Sequence, residues 1–174
     1  TYTNHNSSYK RTEESYPWVE IKYNLLLDKF KENSFSSLSP TIKYIFVEGD
    51  HLIQNFLVDS RRMSLDYKTM FQRSNFVGVD RILKTNKMVL GLEKISWEKK
   101  NNRYRSFAVG QAFYLDDQKN DLSPLFRKNK SPLIAEFQSQ LKSNIWSKGV
   151  VEWEEASNKI NLVTLGFIYK KSNQ

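Results

Sequence analysis

Between Lys87 and Leu115 the chain carries two apolar-rich runs separated by a polar tetrapeptide, and nothing else in it constrains the fold as tightly. Lys87–Trp97 and Arg103–Leu115 read as the arms of a long β-hairpin. Lys99-Lys100-Asn101-Asn102 supplies the turn, since Asn tolerates the left-handed backbone that a tight hairpin needs. On the second arm Phe107, Val109, Phe113 and Leu115 alternate with Ala108, Gly110, Ala112 and Tyr114. Alternate residues of a strand face opposite sides, so one face is bulky and the other small. The small face invites close approach by another element. A second hairpin is read from Val150–Glu155 and Ile160–Lys170 around Ala156-Ser157-Asn158-Lys159. Its last strand alternates Val163, Leu165, Phe167 and Tyr169. Consecutive hairpins imply antiparallel pairing, because parallel strands need long crossovers. Thr41–Val47, rich in β-branched and aromatic residues, adds a further strand. Glu48-Gly49-Asp50 follows it as a turn signal.

Helices are expected between these strands. Pro17 suits a first helical turn. Trp18, Ile21 and Leu25 form one apolar row beside Val19, Tyr23, Leu26 and Phe30, which predicts a helix over about 17–32. The Ser-rich run to Pro40 ends it. Residues 50–63 fit a strand or a helix; Asp50 as N-cap and a shared face of Leu52, Ile53, Phe56, Leu57 and Met63 favour the helix. Residues 64–86 are expected to form short helical turns. Ser131 as cap, Pro132 at the first position, and Leu133, Ile134, Phe137, Leu141 and Ile145 on one face predict a further helix, with Gly149 as its stop. The expected fold is α+β: a single curved antiparallel sheet of four to six strands with about three helices packed on one side. Residues 1–15 read as a flexible polar lead and 16–174 as a single α+β domain. Asp116–Lys130 reads as a charged loop. Because the first residue is Thr1 rather than Met, a processed product or an excised domain is expected.

Functional signals are sparse. The 174 residues hold 27 Lys+Arg against 19 Asp+Glu, a net charge of +8, with no Cys and two His. Disulfides and thiolate metal sites are therefore excluded. No cofactor or metal is expected, since the six Gly are scattered without a phosphate-loop pattern and His5 and His51 stand apart. The only plausible catalytic groups are paired carboxylates, Glu152 with Glu154 and Asp116 with Asp117, and these read as surface acids. No apolar run reaches the length of a membrane-crossing helix.

The sharpest local feature is the hairpin tip. Trp97, Lys99, Lys100, Arg103, Tyr104 and Arg105 put cations and rings within nine residues, the mixture that nucleic-acid surfaces use. The plainer reading is a solvated hairpin end with Trp97 and Tyr104 as a cross-strand pair. Further cations lie at Arg61, Arg62, Lys68, Arg73, Arg81, Lys84 and Lys87, and at Arg127-Lys128-Asn129-Lys130.

The leading expectation is a non-enzymatic binding or assembly domain. It would offer a protein–protein surface to a larger complex, as the soluble part of a membrane-anchored envelope or secretion-machine component. The alternative is a nucleic-acid-binding domain using the basic aromatic hairpin. A third reading is a small-ligand binder or enzyme with a pocket between sheet and helices.

Overall fold

The structure, a computed structural model, describes residues 17–50, 61–62, 65–73, 76–77, 83–115 and 129–170. Nearly all of them are strand. In chain order they form β1 (Trp18–Asn24), β2 (Leu27–Lys31), β3 (Ser34–Asp50), β4 (Arg61–Arg62), α1 (Tyr67–Met70), β5 (Phe76–Val77), β6 (Leu83–Glu98), β7 (Arg103–Tyr114), β8 (Leu133–Lys142), β9 (Ile145–Glu154) and β10 (Lys159–Tyr169). Eight strands make one antiparallel sheet in the order β1–β3–β6–β7–β8–β9–β10, with β2 also on β3. β4 and β5 pair only with each other. The long strands thus run as a meander, each returning beside the last.

The first hairpin, β6–β7, falls where the alternation places it, from Lys87↔Tyr114 to Glu98↔Arg103. The second, β9–β10, is also present. The α+β expectation with about three helices is corrected: the described residues form a sheet of eight strands, a short two-stranded pair and one helical turn. The helix expected over 17–32 is instead β1 and β2. Its apolar residues satisfy a helical stripe, yet Val19, Ile21 and Tyr23 also alternate strictly with Glu20, Lys22 and Asn24, and that period prevails. β1 and β2 keep a single register along β3, from Trp18↔Val47 to Lys31↔Ser34. They are interrupted opposite Pro40, which has no N–H to give the ladder; Leu25 N–H still donates to the Pro40 carbonyl at 3.1 Å.

The helix expected from Ser131 to Gly149 is β8, the Ser143-Asn144 turn and the start of β9. Ser131 caps no helix: its Oγ accepts from Ala112 N–H at 3.0 Å and is buried against β7. Gly149 ends nothing; it pairs with Phe137, whose ring occupies the space a Cβ would need. Glu48-Gly49-Asp50 belongs to β3, with a register shift between Val47 and Asp50, so the signal marks a bulge rather than a turn. Of the helix favoured over 50–63, residues 51–60 and 63 lie outside the described residues; Asp50 ends β3 and Arg61–Arg62 are β4. Residues 1–16, most of the 116–130 loop, His5, His51, Asp116 and Asp117 also lie outside them.

The core lies on one face of the sheet. Tyr67 and Met70 of α1 pack on Val89, Ala108, Ala112, Tyr114 and Ile134. This is the small face expected on β7. A Cβ on Gly110 would meet Met70 Cε at 3.0 Å, and one on Gly91, directly opposite, would meet Phe71 Cζ at 2.6 Å. α1 is closed by a capping box: Thr69 N–H donates to Asp66 Oδ1 at 2.7 Å and Asp66 N–H to Thr69 Oγ1 at 2.8 Å.

Asn102 closes the first hairpin at φ 46°, the left-handed region that costs a β-branched residue about 1–2 kcal/mol. Asn102→Val is expected to lose about that much stability and Asn102→Gly almost none, read from urea unfolding midpoints.

Candidate functional site

The register sorts side chains into two faces of opposite character. Starting from the pair Ile42↔Leu90, the same face carries Val19, Ile21 and Tyr23 on β1 and Leu38, Tyr44 and Phe46 on β3. It continues through Met88 and Leu92 on β6, then Phe107, Val109 and Phe113 on β7. On β8 to β10 it carries Ala135, Phe137, Val151, Val163, Leu165 and Phe167. The result is an apolar band crossing every strand of the sheet. No described residue packs over it: Ile42 and Phe107 are each 49 % exposed, and Phe167 on β10 is 75 % exposed. From Leu38 to Phe46 it runs about 26 Å along β3 at 3.3 Å per residue.

The opposite face is mixed: beneath α1 it holds the core residues Val89, Ala108, Ala112, Tyr114 and Ile134, and around them it is polar. It carries Glu20, Lys22, Asn24 and Asp28 on the edge, Ser37, Ser39, Thr41 and Lys43 on β3, and Glu136, Gln138, Lys148 and Thr164 toward the other side. This is the face that residues 65–73 cross as a strap. Lys43 Nζ donates to the Phe71 carbonyl at 2.8 Å and pairs with Glu20 at 3.2 Å. Arg73 reaches the same Glu20 carboxylate at 3.3 Å and lies 4.0 Å over the Trp18 ring. At the far end Tyr67 N–H donates to Glu136 Oε1 at 2.7 Å. The strap is thus pinned to β1, β3 and β8 by charge. Between it and the sheet opens a cavity of about 590 Å³, lined by Lys22, Asp28, Ser37, Thr41, Lys68 and Glu93 among others. Its walls mix these charged and hydroxylic side chains with the apolar Leu26, Phe35, Phe71 and Ile95.

The two ends of the sheet also differ. Three connections at one end are short: Glu32-Asn33, Lys99–Asn102 and Ser143-Asn144. At the other end β3 and β6 are joined through residues 51–82, and β7 and β8 through 115–132, while β9 and β10 are joined by a short turn. There Lys130 hydrogen-bonds the Glu155 carboxylate and holds it below its usual range. At the short-turn end the polar face becomes aromatic, with Phe30 on Phe35 at 5.0 Å and Tyr104 on Trp146 at 5.6 Å.

The hairpin-tip residues are all at the short-turn end, but the register divides them. Trp97 and Tyr104 are directly opposite each other on the polar face, the cross-strand pair of the plainer reading, and Trp97 Nε1 donates to Asn102 Oδ1 at 3.4 Å. Arg103 and Arg105 point to the apolar-band side, and Lys99 and Lys100 occupy the turn. Rings and arginines therefore do not share one surface. Glu152 and Glu154 share the polar face of β9, and Glu154 is buried. Among the described residues no three potential ligands cluster to hold a metal, and no helix is long and apolar enough to cross a membrane. What sequence reasoning misses is the band itself. Its signal is present in the alternation of β7 and β10, but a band emerges only when that alternation is carried from strand to strand across the sheet.

Comparison with known proteins gives one family. The model of LptD, the LPS transport system D family, matches residues 2–174. The LPS-assembly protein LptD of Shewanella oneidensis is 28 % identical over 153 residues, covering 85 % of this chain and 20 % of that protein. Its counterpart in Pseudoalteromonas atlantica is 25 % identical over 141 residues, covering 81 % and 18 %. The chain spans about a fifth of the length of the curated relatives it matches. These relatives are named for assembly, not catalysis, in agreement with the expectation of a non-enzymatic assembly component of the envelope. Nothing in the family or its members' names points to nucleic acid. A match over virtually the whole chain leaves one conclusion: it belongs to the LptD family.

Proposed function

We propose that this chain is a section of the wall of a membrane-spanning β-barrel that serves lipopolysaccharide assembly. The apolar band faces lipid, and the polar face with its strap looks inward. One observation carries the reading: a band of apolar residues on one face crosses every strand of the sheet, and no layer formed by the described residues covers it. A water-soluble sheet covers its apolar face; here the described strap lies on the other face, over a small core ringed by polar side chains. Strands of ten or more residues alternating apolar-out and polar-in, with short turns at one end, are the pattern of barrels in the outer membrane. A tilt of roughly 40° shortens the 26 Å run to about 20 Å of height, close to the ~25 Å apolar band of such barrels.

The substrate class follows from family membership, since the relatives are named as LPS-assembly proteins. The cavity under the strap, through Lys22, Asp28, Lys68 and Glu93, offers donors and acceptors to the sugar and phosphate groups of an amphiphile. The assembly surface expected from the sequence is assigned to the two edges of the sheet. β1–β2 and β10 each have one neighbour among the described residues and offer an open ladder to further strands. The wall reading replaces a soluble part held by an anchor, because an uncovered band of this extent is an aggregation hazard in water.

Site-directed spin labelling tests this in bilayers, and the absence of native Cys makes each label unique. Labels at Ile42, Leu90 and Leu165 are expected to be relaxed by oxygen, which partitions into lipid. Labels at Ser39, Gln138 and Thr164 are expected to respond to a water-soluble nickel complex. Equal access to the nickel complex on both faces would sink the reading.

A further inference from the structure

Below the apolar band, toward the short turns, the outward face changes character within one step. The row at Leu38 still reads Leu27, Leu38, Lys94, Phe107 and Phe137 across successive strands. The next outward row reads Lys29, Ser36, Ser96, Arg105 and Ser139. The one after it reads Lys31, Ser34, Glu98 and Arg103. Hydroxyls and cations therefore replace apolar side chains in register, strand after strand. All five cations are exposed, and Glu98 is the single acid among them. Among the described residues none of the five is in an ion pair. The opposite end of the same face differs: its outward Lys84 is paired with Glu48 at 3.5 Å. The asymmetry belongs to one rim.

We propose that this rim binds the headgroup phosphates of anionic phospholipids, with the row Lys29–Ser36–Ser96–Arg105–Ser139 as its seat. This rests on the wall reading, which puts the row at the level where apolar chains give way to headgroups. The chemistry is that of phosphate recognition. Arg and Lys supply charge, Arg through a planar fork that matches phosphate oxygens. The serines supply neutral donors between the cations, so a headgroup can be held without another positive charge beside it. Basic residues at a membrane surface each contribute about 1 kcal/mol of attraction to anionic lipid. The rim also gives a role to Arg103 and Arg105, which the nucleic-acid reading groups with rings that face the other way.

The experiment compares lipids around the full chain reconstituted in phosphatidylcholine vesicles. Spin-labelled phosphatidylglycerol and spin-labelled phosphatidylcholine are added in turn, and the motionally restricted fraction of each is read by electron paramagnetic resonance. Phosphatidylglycerol is expected to associate roughly three- to fivefold more strongly than phosphatidylcholine. The preference should fade in about 1 M salt, where the screening length falls to about 3 Å. The variant carrying Lys29→Gln, Lys94→Gln, Arg103→Gln and Arg105→Gln should lose the preference, while Lys159→Gln at the other end should keep it. Equal association of both lipids with the wild-type chain overturns the proposal and leaves the wall reading standing. Absence of restricted lipid of either kind overturns the wall reading itself. The wild-type comparison decides even if the fourfold variant does not fold.

Discussion

Leu90→Arg is expected to destabilise the bilayer-inserted chain by about 2–4 kcal/mol, the cost of a lipid-facing Arg near the membrane midplane of a barrel. At 1.4 kcal/mol per decade that is a fall of roughly 30- to 1,000-fold in the folded-to-unfolded ratio. Leu90 sits at the middle of the band, opposite Ile42 on β3 and Gln111 on β7. It is 36 % exposed on the outward face, so a longer side chain there can extend away from the sheet. In water the same substitution would cost less, because the Arg stem can lie along the apolar surface while its head reaches solvent. The size of the effect therefore reports the solvent on that face. Thr164→Arg on the inward face of β10 is the matched control and should cost about 0.5 kcal/mol or less. Urea titrations of both variants in vesicles provide the check. A Leu90→Arg midpoint equal to wild type would remove lipid from the outward face.

Legibility from sequence alone differs from element to element. The β6–β7 hairpin is legible, because strict alternation and an Asn-rich turn agree, and Asn102 does take the left-handed conformation. The small face of β7 reads as a place for close approach, and α1 docks there. β1, β2 and β8 are not legible, for a shared reason. Each has apolar residues on both faces: Trp18 and Phe30 turn to the polar face while Val19, Ile21 and Leu27 turn outward, and Ile134 lies under Met70 while Leu133 and Phe137 face out. Apolar residues at both odd and even positions mimic a helical stripe. The habit of assigning apolar residues to a protein core then makes the helix look better than the strand. Where the solvent is lipid, one apolar set needs no core. Composition finds the hairpin-tip cations, but their division between faces needs the cross-strand register, which no single strand contains.

Gly91→Val is expected to release the strap without unfolding the sheet. Gly91 and Gly110 are directly opposite on β6 and β7, so two neighbouring strands lack side chains at the same level. The Tyr67 and Phe71 side chains fill that gap: a Cβ on Gly91 would stand 2.7 Å from Tyr67 Oη and 2.6 Å from Phe71 Cζ. Neither ring can simply step aside. The backbone of Tyr67 is held by its N–H bond to Glu136 and that of Phe71 by the Lys43 bond to its carbonyl. The rings also contact each other edge-on at 5.3 Å. Relief must come from lifting the strap, at the roughly 1–3 kcal/mol typical of overpacking. Hydrogen exchange should locate it. Protection of the Met70 and Phe71 amides, bonded to the Asp66 and Lys68 carbonyls, should fall about 5- to 150-fold for that range. The paired amides of β6 and β7 outside the contact should be little changed. Gly166→Val on β10 serves as the control, since a Cβ there meets nothing nearer than the Lys148 carbonyl oxygen at 4.0 Å. Removing a strand glycine there should be neutral or stabilising by about 0.5–1 kcal/mol. Unchanged protection of the strap in Gly91→Val would mean that the strap is held by its ion pairs alone and that the glycine pair is incidental. The expected result instead makes the pair the device that lets a wall of alternating side chains hold a segment flat against its inward face.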